Sequence, residues 1–210
     1  MSQMRIAVIV EGDGEVEAVP VLLRRYAELA GWSGRVHIHP VIRQPASKLL
    51  KAGELERHVE LAARKLGGPG GILVLLDCED DCPATLGPNL LARIRQARSN
   101  LPTSLVLAHR EFEAWFIGSS ASIAGRRNLP VNLPTHSAPE TIRGCKEWLS
   151  EQMPRGFGYD EVNDQPALAQ VFNLQIAMTA CSSFEKCHRE LSILLQRVAA
   201  ITPGFLDLGH

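Results

Sequence analysis

Nothing in the charge balance of this sequence announces a polyanionic partner. Its 22 Lys and Arg stand against 23 Asp and Glu, for a formal net charge of −1 at pH 7. Any claim on nucleic acid must therefore rest on where the charges sit along the chain. No apolar run approaches the length of a membrane span, and the N-terminus lacks the basic, apolar and small-residue order of a secretory leader. Cysteine is scarce and irregular, five residues with no C-x-x-C pair among them. That argues against a zinc knuckle and suits a reducing compartment better than a disulfide framework, so a cytoplasmic protein is expected. No Walker A sequence occurs, and a nucleotide-driven step would have to come from a partner. Of the two tyrosines, Tyr26 belongs to an apolar stripe and Tyr159 has no supporting context, which argues against a tyrosine nucleophile.

What is present is an alternation of strand-like and helix-like segments. "RIAVIV" (5–10), "RVHIHPVI" (35–42), "GILVLL" (71–76) and "TSLVLAH" (103–109) read as strands, the first and third buried on both faces. Between them Val19, Leu22, Leu23, Tyr26, Leu29 and Ala30 recur at helical spacing. "GELERHVELAARKL" (53–66) and a stripe through Leu90, Leu91, Ile94 and Ala97 do the same. "REFEAWFI" (110–117) starts a further helix. Four strand–helix repeats predict an α/β fold, a mostly parallel sheet with helices on both faces.

After Gly118 the character changes. "AGRRNLPVNLPTHSAPE" reads as a linker or long loop, and three helical segments follow. One has Pro139 near its start. A second opens at "DQPAL" with Asp164 as N-cap and Pro166 in the first turn. The last opens at "SSFE", where Ser182 and Glu185 have capping-box spacing. The expected organisation is an α/β domain over residues 1–118, with residues 119–210 a linker and helical C-terminal extension packing on it.

Chemistry concentrates in two acidic turns. "VEGDGEVE" (10–17) places Glu11, Asp13, Glu15 and Glu17 just past the first strand. "DCEDD" (77–81) places Asp77, Glu79, Asp80 and Asp81 just past the third. In a parallel sheet both turns lie on one edge, where binding crevices form. Carboxylates packed this closely need a positive charge between them, and a divalent cation is the natural one. Solvated turns or helix N-terminal charges would explain either loop alone, but two loops ending two buried strands outweigh that account. A dinucleotide fingerprint fails for want of a third glycine, and an EF-hand fails at its sixth and twelfth positions.

"VIVEGDGE" followed by "LVLLDCEDD" resembles the Toprim domain of primases, topoisomerases and the overcoming-lysogenization-defect nucleases. The likeness is to small Toprim-like bacterial proteins of unknown function, often encoded beside ATPases in phage-defence loci. It runs on through "SKLLKAGELE", "REFEAWFI", "IRGCKEWL", "YDEVNDQPAL" and "SSFEKCHREL". The resemblance implies a Toprim-like (Rossmann-like) sheet and a catalytic glutamate at Glu11. It makes Glu15 the second acid of the nuclease branch and Asp77 the first acid of an aspartate pair. Glu79 departs from the pattern, standing where an aspartate is usual; Asp80 or Asp81 is at hand to compensate. On this reading Glu11, Asp77 and Glu79 are catalytic, and Glu11, Glu15, Asp77, Glu79 and Asp81 hold one or two Mg or Mn ions.

Among basic residues, Arg93, Arg95 and Arg98 read as a solvated helix face. Arg43 and Lys48 follow the second strand, on the same edge as the acids, and are the candidates for phosphate contact. His109, Arg110 and Glu111 follow the fourth strand and complete the substrate-binding set. Trp115, Phe116, Cys145, Cys181 and Cys187 read as core. The leading expectation is metal-dependent phosphodiester hydrolysis of nucleic acid. Its rival is a weakly active or non-catalytic Toprim-like binding or regulatory subunit, whose helical tail docks an ATPase or a second copy of the chain. A third reading directs the same acids to small phosphorylated substrates.

Overall fold

The computed structural model describes residues 3–32 and 35–203. The first half contains β1 (Met4–Val10), α1 (Glu15–Leu29), β2 (Val36–Arg43), α2 (Ala46–Leu49), α3 (Glu54–Leu66), β3 (Gly71–Asp77), α4 (Pro83–Ala97) and β4 (Thr103–Ala108). Then come α5 (Glu113–Gly118), α6 (Ser120–Ile123), a 3-10 turn (Pro139–Thr141), α7 (Cys145–Gln152), α8 (Glu161–Val171), α9 (Leu174–Ala180) and α10 (Ser182–Ile201). No helix among the described residues is long and apolar enough to cross a membrane.

Strand pleating decides the layering. Successive side chains point to opposite faces, so a strand that is apolar throughout must be covered twice. Ile6, Val8, Leu73, Leu75 and Val106 enter one core, whereas Ala7, Ile9, Ile72, Val74, Leu76 and Leu107 enter the other. The second core is closed by Leu55, Val59 and Leu66 of α3 and by Leu90 and Ile94 of α4. The first is closed by α1, by α5 and by the helical extension, with Phe184, Cys187, Leu191, Leu194, Leu195 and Val198 of α10 all buried in it. The α/β fold with helices on both faces and a C-terminal helical extension is the one the alternation predicts.

All strand pairs are parallel, in the order β2-β1-β3-β4. β2 lies at the edge and carries a bulge opposite Ile6 and Val8, which is where an edge strand accommodates Pro40. From β1 the chain moves outward to β2 and then returns to the other side of β1 for β3. That reversal leaves a crevice between the carboxyl ends of β1 and β3.

Several local expectations change. Helix α5 begins at Glu113 rather than residue 110, because Arg110 adopts a left-handed backbone (φ 69°) that ends the preceding strand in a turn. Asp160, not Asp164, caps α8: its carboxylate accepts from the Val162 N–H at 3.1 Å. Asp164 is buried and pairs with Arg127 at 2.6 Å instead. Among the described residues the extension holds five helices, α6 to α10, and a 3-10 turn instead of three segments. Arg93 and Arg98 do not form a solvated face; they clamp α4 to α3 through Glu56 at 2.6 Å and Glu60 at 3.0 Å.

The start of α10 is also capped differently. Ser182 does not form a capping box with Glu185. The Glu140 carboxylate, arriving from the 3-10 turn, accepts from the Ser182 N–H at 3.0 Å, the Ser182 hydroxyl at 2.9 Å and the Ser183 N–H at 2.9 Å. A remote anion thus satisfies donors that a helix leaves open at its first turn. Glu140→Ala is expected to cost about 1–2 kcal/mol in urea unfolding. An unchanged midpoint would show that this bridge does not hold α10.

Candidate functional site

The crevice between β1 and β3 is built of short connections. Glu11 is the first residue past β1, and its Oε2 accepts from the Asp77 N–H at 3.3 Å. Asp77 ends β3, and its Oδ1 accepts from the Phe112 N–H at 2.9 Å. The turn doubles back through Gly12, whose N–H donates to Glu15 Oε2 at 2.5 Å. Glu15, the first residue of α1, is only 3% exposed. Gly14 is required by proximity: a Cβ there would lie 2.4 Å from both Gln165 Oε1 and the Glu161 carbonyl oxygen. Only glycine lets the start of α1 seat against α8.

The C-terminal helices complete the site. Glu113, on α5 and fully buried, accepts at Oε1 from the Tyr159 hydroxyl (2.9 Å) and the Gln165 amide (3.0 Å). Its Oε2 is buried without a hydrogen-bond partner among the described residues, as is Gln165 Oε1. Lys146, in the first turn of α7, bonds the Glu161 carboxylate, and its charge acts on Glu11, Glu15, Asp77 and Glu113 together. Lys146, Tyr159 and Glu161 also line an open cleft of about 720 Å³ between α7 and α8. The chain thus places a positive charge of its own within reach of the acidic turns.

Electrostatics follow from that arrangement. Burial pushes Glu15 up to about 7, with the Gly12 N–H opposing and Glu11 reinforcing the shift. Burial likewise raises Glu113 to about 7, against the pull of Lys146 and the Tyr159 hydroxyl. Asp77 is held well above the usual carboxylate range by burial and by Glu15, Glu113 and Glu11 around it. Glu11 is raised by burial, which outweighs the bond from the Asp77 N–H, and Glu79 adds repulsion. Lys146 moves the other way from a buried amine: Glu113 and Glu161 overcome desolvation and hold it cationic.

The residues do not form a ready metal centre. Among the described residues, no group of three His, Cys, Asp or Glu side chains is arranged to hold a metal ion. Oxygens of Glu11, Asp77 and Glu15 each take a backbone N–H, and Glu113 takes a phenol and an amide.

Of the residues named from sequence, Glu11, Glu15 and Asp77 come together. Glu79 is exposed, with φ 45°, near enough for its charge to bear on Glu11. Asp81 is exposed, its N–H closing the turn on the Cys78 carbonyl. Asp80 is the acid of this turn that meets cations, bonding Arg110 and lying 2.8 Å from Arg143. Arg43 pairs with Asp13 at 3.0 Å. Lys48 is exposed on α2, and His109 lines a separate cavity beside Glu140 and Ser182. Glu111 accepts from the Cys145 N–H at 3.0 Å and so caps α7, the helix that carries Lys146. Tyr159, which has no context in the sequence, is a hydrogen-bond donor to the buried Glu113.

One family model, described as a domain of unknown function (DUF4276), matches residues 10–192. The chain belongs to the DUF4276 family. No curated protein and no solved structure matches it. The match extends from the first acidic turn through most of α10, so it includes both the Glu11–Asp77 crevice and the helices that bring Lys146, Tyr159 and Gln165 to it.

Reasoning from sequence missed Lys146, Tyr159, Gln165 and Glu113 as site residues. All lie in "REFEAWFI", "IRGCKEWL" and "YDEVNDQPAL". The available signal was a polar residue next to core positions, such as Lys146 beside the buried Cys145 and Gln165 beside the buried Asp164.

A carboxyl whose folded pKa exceeds its unfolded value binds its proton more tightly in the native state. Its contribution to stability is full below 4.5 and is lost as pH rises through about 7. The melting temperature of this DUF4276 chain is therefore expected to fall between pH 5 and pH 8, in thermal scans read by circular dichroism. Glu113→Gln should flatten that fall. A melting temperature constant or rising over the window would contradict the buried carboxyl pair.

Proposed function

We propose that this DUF4276 chain is a weakly active or non-catalytic Toprim-like binding subunit, acting on nucleic acid beside an ATPase partner. One observation carries the reading: the Lys146 ammonium, bonded to Glu161, is near enough for its charge to act on Glu11, Glu15, Asp77 and Glu113, where a Toprim nuclease would need divalent metal. An internal ammonium offsets the charge of the acids but does not itself polarise a phosphate as a divalent metal does. The fold is α/β and Rossmann-like, compatible with nucleotide or nucleic-acid binding at the carboxyl edge of the sheet. Arg110 and Arg143 lie beside the crevice around a cavity of about 240 Å³, bridged by Asp80. Both are suited to phosphate oxygens once Asp80 is displaced.

A second reading is favoured by the approach of Glu11 to Asp77. It is metal-dependent phosphodiester hydrolysis at Glu11, Asp77 and Glu79, with Mg or Mn as cofactor. It requires a metal to join Lys146 at the cluster, through carboxylate lone pairs that the backbone hydrogen bonds leave open.

The two are separated by titrating Mn²⁺ into the purified chain by calorimetry at pH 7.5 and incubating both with plasmid and single-stranded DNA. The proposed reading expects no Mn²⁺ binding tighter than about 1 mM in the wild type. It expects binding to appear in Lys146→Met, where the acids are left without their cation, and DNA to stay intact in both. Mn²⁺-dependent cleavage by the wild type, lost in Asp77→Asn, would overturn it in favour of the nuclease.

A further inference from the structure

The turn after β3 and the turn after β4 hold one another. The Glu79 N–H donates to the Arg110 carbonyl at 3.0 Å, and the Arg110 guanidinium donates back to the Glu79 carbonyl at 3.1 Å. Both residues adopt a left-handed backbone, with φ of 45° and 69°. Glycine or asparagine takes that backbone with less strain, and larger side chains held in it cluster at ligand clamps. Here an arginine and a glutamate hold it, side by side at the mouth of a cavity.

Arg110 reaches toward a second arginine. Asp80 Oδ1 bonds Arg110 Nη1 and lies 2.8 Å from Arg143 Nη2, so two guanidiniums converge on one carboxylate oxygen. The segments that carry them are tied one residue further on, where Glu111 accepts from the Cys145 N–H. Asp80 and Arg143 are exposed and 21% of the Arg110 side chain is open, so a solute reaches the pair directly. With Glu79, Glu111 and Gly144 they enclose about 240 Å³. Sites for whole small molecules begin at roughly 300 Å³, so this space suits a head group.

Charge decides which head group. Asp80 brings one negative charge to two guanidiniums, and its tether gives it a high effective concentration there. A phosphodiester inside a strand also carries one negative charge and gains nothing over Asp80. A phosphate monoester carries close to two at neutral pH and above, and it presents three acceptor oxygens to the two donor forks. Glu79 and Glu111 in the same wall oppose any anion and keep the expected affinity modest.

The geometry points to a subsite for the terminal phosphate monoester of a nucleic-acid strand, formed by Arg110 and Arg143 and closed by Asp80 until such an end displaces it. The inference rests on the nucleic-acid reading above and adds which part of the strand is recognised.

The test titrates the full chain into dye-labelled single-stranded DNA carrying a phosphate at its 5′ end, at its 3′ end or at neither. Fluorescence anisotropy is read at about pH 8, where the monoester is a dianion. At least one phosphorylated strand is expected to bind about tenfold more tightly than the unphosphorylated one. Asp80→Asn should widen that preference about tenfold again, because it frees both guanidiniums, and inorganic phosphate should then compete. Arg143→Gln should erase the preference. Both substitutions fall on exposed side chains, and an unchanged melting temperature shows that each variant is folded. Equal affinity for all three strands, or a weaker hold on phosphorylated DNA in Asp80→Asn, would overturn the subsite and leave nucleic-acid binding standing. Affinity for none of the strands would overturn the nucleic-acid reading with it.

Discussion

The arrangement of this molecule turns on one electrostatic constraint: four carboxylates brought to a single crevice need positive charge nearby, and the charge of Lys146 reaches all four. Like charges in a low dielectric repel by several kcal/mol, so Glu11, Glu15, Asp77 and Glu113 could not share the space unaided. Part of the conflict is relieved by protonation, as the raised carboxyls show, and part by the ammonium. Lys146 is in turn held by Glu161, and its helix is capped by Glu111 through the Cys145 N–H. The acids of the sheet edge and the helices of the extension therefore need one another.

Topology explains why the conflict arises there. The reversal of direction after β1 sets Glu11 beside Asp77 although 66 positions separate them, and α5 then delivers Glu113 from the end of β4. The same layout leaves the first face of β3 and β4 uncovered by the α/β repeats themselves. α10 covers it, and Gly71 at the start of β3 admits the Val198 and Leu194 side chains where a Cβ would collide with them. Covering the core and supplying the counterion are thus tasks of one C-terminal assembly.

Much of this was legible from residue order. Continuous apolar runs identified β1, β3 and β4, because a strand buried on both faces has no polar positions to confuse the pattern. Edge strand β2, with alternating exposure and Pro40, was legible through its turns rather than its periodicity. The meeting of Glu11 and Asp77 followed from the rule that parallel strands end on one edge. What sequence could not show was long-range satisfaction of polar groups. Glu140 capping α10, Arg93 bridging two helices and Tyr159 reaching Glu113 each join residues tens of positions apart. Such pairings have no period. Lys146 was hidden for the same reason, since a lysine in an amphipathic segment ordinarily faces water, and only the approach of α7 to the sheet edge turns it inward.

The most direct measurement of that central pairing is a carbon-13 NMR titration of the Glu15 and Glu113 side-chain carboxyls, in the wild type and in Lys146→Met. The account predicts that both carboxyls titrate near 7 in the wild type and move higher when the ammonium is removed. Midpoints in the ordinary glutamate range, unmoved by the substitution, would contradict it.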